Sequence, residues 1–255
     1  MVRVDSLTFA YPQHARLFQS FDWQIERGQR WAVLGPSGCG KTSLLYLLAG
    51  LLKPTGGEIF IENEPVRRPR PRSGLILQDY GLLPWATIKQ NVELGLRVRN
   101  FYGPDGRHTP QDYRTGQDVT PWLERLGISD LADKYPTQVS GGQRQRAAIA
   151  RTLILQPDLL LMDEPYSSLD TVTREDLQSL TLKLCTEQKL TLILVTHSIE
   201  EAAAIGNRIL LLNMPPNHKP CIFENPNSGS VEYRQSSDYR ELCKTLRAES
   251  NREKA

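Results

Sequence analysis

Between an apolar run at residues 31–34 and a run of helical spacing at 43–49, the chain reads Gly35-Pro36-Ser37-Gly38-Cys39-Gly40-Lys41-Thr42. No other stretch restricts the possible folds so strongly. Its glycines let the backbone take positive φ angles and wrap closely around a bulky anion. A short, wholly apolar strand in front of the loop fits a parallel sheet buried on both faces. A helix directly behind it turns free N–H groups and a positive dipole end toward that anion. Lys41 is then placed to put a point charge on the β- and γ-phosphates of a nucleotide, and Thr42 offers Mg²⁺ a hydroxyl ligand.

A second feature supports this reading. Leu159-Leu160-Leu161-Met162-Asp163-Glu164 is a hydrophobic strand that delivers two acids at its end. Ligands of open α/β sheets bind outside the carboxyl ends of the strands. Asp163 is therefore expected to hold Mg²⁺, and Glu164 to orient or deprotonate the water that attacks the γ-phosphate.

Strand patterns also fall at residues 2–9, 17–25, 58–61, 75–77, 190–195 and 208–212, and helical ones at 88–98, 123–126, 140–155, 173–188 and 238–248. Strands alternating with helices predict a wound, parallel sheet. Residues 79–155 read as a mostly helical insertion, and 67–72, alternating Arg and Pro, as extended and exposed.

Composition narrows the function. A formal net charge of +2 over 255 residues is too small to argue for nucleic acid as a partner. No apolar run approaches the roughly 20 residues that cross a bilayer, so at a membrane other chains would supply the spanning part. Arg3 and Asp5 argue against a signal peptide. Cys39, Cys185, Cys221 and Cys243 match no zinc spacing, and so few thiols suggest a reducing compartment. Cys39, inside the loop and near a helix N-terminus, is expected to be acidified and accessible.

Val139-Ser140-Gly141-Gly142-Gln143 opens the helix ahead of the acidic strand. Taken alone, Ser140 with Gln143 is a capping box. Lying between the glycine loop and the carboxylates, it resembles the signature of the ATP-binding cassette (ABC) family, with Val for the usual Leu. The resemblance covers residues 1–215. It implies an α/β P-loop NTPase with a parallel RecA-like core, an N-terminal antiparallel β-subdomain and an inserted helical subdomain, followed by an extension at 216–255 that ends in a helix. By the same resemblance, residues 35–42 are the Walker A loop, and ATP binding extends to Ser43. Residues 159–164 are the Walker B strand. Gln78 resembles the Q-loop glutamine beside the metal and the reacting phosphate, Ser168-Leu169-Asp170 the D-loop, and His197 the switch histidine. Tyr11 falls where the family stacks an aromatic ring on adenine.

The resemblance further implies a head-to-tail dimer of two copies with two ATPs between them. Ser140, Gly141, Gly142 and Gln143 of each copy would face the γ-phosphate held by Lys41 of the other. A finer likeness lies in Gln78-Asp79-Tyr80-Gly81-Leu82-Leu83-Pro84-Trp85 followed by Asn91-Val92, which is similar to the ATPases of nitrate, sulfonate and taurine importers. It implies integral membrane permease partners, a solute-binding protein acting indirectly, and work at the cytoplasmic face of the inner membrane. An exporter ATPase, an ABC ATPase outside transport and an ATP-sensing regulator are the alternatives. A single cassette without heptads argues against the second, and the presence of Glu164 and His197 against the third.

Overall fold

A computed structural model describes residues 1–252 of the chain. Strand β1 (Val2–Ala10) pairs antiparallel with β2 (Arg16–Ile25) and with β4 (Gly56–Ile61), and β5 (Glu64–Pro65) completes this sheet. The apolar phase of β1 changes midway: Val2 and Val4 are buried, then Leu7 and Phe9. A break in register between Val4 and Leu7, with Ser6 at φ +49°, keeps both pairs on the inner face.

The second sheet has the order β10-β9-β3-β8-β7-β6, made of β3 (Arg30–Leu34), β6 (Ser73–Ile76), β7 (Leu159–Asp163), β8 (Thr191–Thr196), β9 (Arg208–Leu211) and β10 (Cys221–Glu224). The strands from β9 to β6 are parallel; β10 joins antiparallel at the edge. Alternation along the central strands builds two cores. Leu159, Leu161, Ile193 and Val195 face the antiparallel sheet and helix α1 (Lys41–Leu48). Leu160, Met162, Leu192 and Leu194 face the other way, into a core shared with α2 (Ile88–Tyr102), α3 (Thr120–Arg125), α4 (Gly141–Leu153) and α5 (Thr171–Gln188). Each such side chain contributes roughly 1.5–3 kcal/mol of burial, which is why the central strands are continuous apolar runs.

Three features differ from the sequence reading. The core sheet is not wholly parallel, because β10 adds an antiparallel strand from beyond residue 216. Helix α6 (Ile199–Ile205) was unforeseen, although Ser198 caps it by accepting from the Glu201 N–H and Gly206 follows it. The 67–72 segment is exposed only at its start: Arg70 forks onto Asp158, and Arg72 pairs with Asp112. After the short α7 (Val231–Gln235), helix α8 (Ser237–Arg252) packs on α6. There Tyr239 donates to the Glu200 carbonyl at 3.1 Å, and Leu246 is buried with Ala202.

Candidate nucleotide site

The glycine loop is a strip of backbone held from behind. Gly38 and Gly40 have φ of +81° and +104°. A Cβ on Gly35 would stand 2.6 Å from the Leu212 carbonyl oxygen, and one on Gly40 3.1 Å from the Phe18 ring. Gly40 caps α1 without a side-chain bond, so the first N–H groups of the helix are not taken by a capping residue. Lys41 crosses the loop and donates to the carbonyls of Gly35 at 2.8 Å and Pro36 at 2.9 Å. Cys39 contradicts its expectation. It is fully buried, and burial pushes its thiol up in pKa, outweighing the nearby Lys41 charge and its backbone hydrogen bonds. It packs beneath the loop and is no exposed nucleophile.

The sheet lines up the remaining candidates. Along β3-β8-β7-β6 the carboxyl ends carry, in spatial order, the glycine loop, His197, Asp163 with Glu164, and Gln78. Thr42 donates its hydroxyl to Asp163 Oδ1 at 3.1 Å. Both are hard oxygen donors. Mg²⁺ takes one or two protein oxygens and fills its octahedron with water and phosphate, so the pair fits that ion. Burial raises the Asp163 pKa, and the neighbouring Glu164 charge adds to this, while the Thr42 hydroxyl and Lys41 act against it. Glu164 has φ +43°, uncommon for a residue with a side chain, and its N–H donates to the Val195 carbonyl at 2.9 Å. Its Oε2 lies 3.1 Å from His197 Nδ1. Gln78 is exposed, two residues past β6. Tyr11 stands at the first turn of α1, its hydroxyl 3.2 Å from that of Ser43.

The serine–glycine helix start lies apart, at the N-terminus of α4. Ser140 Oγ accepts from the Gln143 N–H, and Gln143 Oε1 accepts from the Ser140 N–H, so the capping box is real. A Cβ on Gly142 would come within 2.4 Å of Thr173 Cγ2; only glycine lets α4 and α5 approach this closely. Leu169 packs over Gly141, Asp170 caps α5, and Ser168 Oγ meets the Tyr80 hydroxyl at 2.7 Å. Arg151 also donates to the Tyr80 and Gly81 carbonyls. Tyr80 is thus a junction that the sequence did not single out. A second is Asn217, which reaches the glycine loop from 178 positions away; no local pattern marks it.

Comparison with known proteins agrees with this geometry. The family model described as ABC transporter matches residues 18–167. The chain is 34% identical over 248 residues to an aliphatic sulfonates import ATP-binding protein, SsuB, of Bacillus cereus, covering 96% of this chain and 94% of that protein. It is 38% identical over 232 residues to the taurine import ATP-binding protein TauB of Pelagibacter ubique, covering 91% and 83%. Among solved structures, the dimeric ATP-binding cassette MJ0796 in a post-hydrolysis state bound to ADP and Pi superimposes with a TM-score of 0.70 at 30% identity, over 83% of this chain and 94% of that one. The protein cbiO1 of Clostridium perfringens, part of the transporter complex cbiONQ, shares the fold with a TM-score of 0.73 at 24% identity, over 100% and 98%. The phosphate-loop sheet, the inserted helices and the comparisons coincide: the chain belongs to the ABC transporter family.

Proposed function

We infer that this chain is the ATP-hydrolysing subunit of an importer for small organic anions of the sulfonate class. The observation that carries the catalytic part is the row of strand ends, which brings a lysine-bearing glycine loop, two carboxylates, a histidine and a glutamine to one edge. The solute class is supported by the two relatives named as sulfonate and taurine import proteins.

The chemistry follows from the row. Loop N–H groups and Lys41 grip the phosphates. Thr42 and Asp163, with Gln78 at the neighbouring strand end, would hold Mg²⁺, which when bound would supply neutralising charge to the phosphate oxygens. Glu164 accepts the proton of the attacking water, and His197 holds that carboxylate in place. Tyr11 offers its ring to the base. Two copies act together: the exposed Ser140 and the glycines after it close over the γ-phosphate bound by the other copy, as the dimeric neighbour supports.

Among the described residues no helix is long and apolar enough to cross a membrane. A permease therefore provides the path, and the chain works against it at the cytoplasmic face. The groove for it lies beside Leu83, Trp85, Leu94, Val98, Phe101 and Tyr102 and holds about 700 Å³. Trp85 is 73% and Phe101 82% exposed there, and large apolar side chains gathered at one groove are the kind of surface a partner covers. A binding protein outside the membrane delivers the solute.

Growth tests this. A strain lacking the chain should fail on an alkanesulfonate or taurine as sole sulfur source and grow normally on sulfate. The wild-type chain should restore growth and Lys41→Ala should not. Undiminished growth of the deletion strain on both sulfonates would overturn the solute class.

A further inference from the structure

A loop with three glycines in its eight residues has few side chains to hold its own shape, yet phosphate binding requires particular N–H groups to converge. We propose that Asn217 is a positioning residue for nucleotide binding: it fixes the peptide between Cys39 and Gly40 so that the Gly40 N–H points into the phosphate-binding mouth.

Asn217 is 5% exposed and lies in the segment after β9. Its Nδ2 donates to the Cys39 carbonyl at 3.1 Å and to the Leu17 carbonyl at 3.2 Å, while its Oδ1 accepts from the Asn213 N–H at 2.9 Å. Its own N–H donates to Leu17 O at 2.9 Å, and its carbonyl accepts from the Gln19 N–H at 3.0 Å. Two carbonyls facing one end of the amide and an N–H facing the other leave a single way for the group to sit. A flipped amide would oppose an oxygen to two oxygens.

The consequence for the loop is geometric. A trans peptide is planar, with its C=O and N–H pointing in opposite directions. Anchoring the Cys39 oxygen on Asn217 therefore aims the Gly40 N–H away from Asn217. The anchored side is the packed one, since Asn217 bridges to Phe18, and the Phe18 ring closes the space behind Gly40. The opposite side is where α1 begins and Lys41 crosses. Residues 213–217 thus act on the nucleotide through the loop backbone without touching it.

This rests on reading residues 35–42 as the phosphate loop, and the experiment separates the two. In the full chain, Asn217→Asp keeps the shape and the Asn213 acceptor but turns an oxygen toward the Cys39 and Leu17 carbonyls. The affinity for a fluorescent ATP analogue and for ADP should fall roughly tenfold, the effect of leaving a buried hydrogen-bonding group unpaired. Turnover at saturating ATP should change far less. Lys41→Ala is the control. Unchanged affinity in Lys41→Ala overturns the loop reading itself; lost affinity there with unchanged affinity in Asn217→Asp overturns the role of Asn217 alone. If Asn217→Asp does not fold, a second variant decides. Asn217→Ala, which removes the amide without setting an oxygen against the two carbonyls, should show the same loss of affinity, and wild-type affinity in it refutes the proposal.

Discussion

Glu164 and Asp163 are adjacent carboxylates in different surroundings, and each makes a prediction at the scale of one residue. Glu164 sits at φ +43° and touches His197. Glu164→Gln keeps size and backbone while removing the base, so phosphate release should fall by about 10²–10⁴-fold. ATP should stay bound, and the chain should elute as a dimer on size exclusion; wild-type turnover would remove Glu164 from the mechanism. Asp163 is buried with a raised pKa, so its ionised form is unfavourable in the folded chain. An unfolded Asp titrates near about 3.9; the penalty is absent below that pH and complete above the raised folded value. Asp163→Asn should therefore raise the nucleotide-free melting temperature at neutral pH. The gain should disappear in acid while Mg²⁺-dependent turnover is lost at every pH. Calorimetry across pH checks this, and a lower neutral-pH melting point would contradict it. The candidate residues Lys41, Asp163, Glu164, His197 and Gln78 could be placed from the sequence because each lies at or past the end of an apolar strand. Cys39 misled because a loop thiol reads as exposed; nothing local reveals that Phe18, Leu212 and Asn217 pack beneath it.

At the scale of elements, the contact between α4 and α5 depends on Gly142. A methyl there meets Thr173 at 2.4 Å, and Thr is stiff at χ1. Gly142→Ala should destabilise the chain by about 1–3 kcal/mol, as overpacking does, and adding Thr173→Ala should restore most of that in chemical denaturation. No recovery would show that the strain lies elsewhere. Strands β3, β7 and β8 were legible because burial on both faces makes them unbroken apolar runs. β10 was not, because it is a four-residue edge strand with exposed alternate positions between prolines and turns. Helix α6 was missed for its seven residues, despite its cap. The register breaks in β1 and β2 come from tertiary packing, and Arg70 is half-buried because Asp158, far along the chain, neutralises it.

For the molecule as a whole, the proposed chemistry and the proposed coupling occupy different places, the strand-end row and the apolar groove by α2, and Tyr80, hydrogen-bonded to Ser168, falls between Gln78 and Leu83 in the chain. Trp85→Glu should leave ATP turnover of the isolated chain within about twofold, as exposed substitutions generally do, yet abolish co-purification with the membrane partner. A complex that survives this change would place the permease elsewhere. The six-stranded order has one more consequence. Among the described residues, β10 is the strand that pairs with the outer rim of β9, whose Ile209, Leu210 and Leu211 are almost wholly hidden. Were the chain cut after Leu212, that rim would offer unpaired main-chain donors and acceptors to any neighbour, and unpaired strand rims of this kind recruit other chains. β10 thus acts as a guard against self-aggregation as much as a continuation of the sheet.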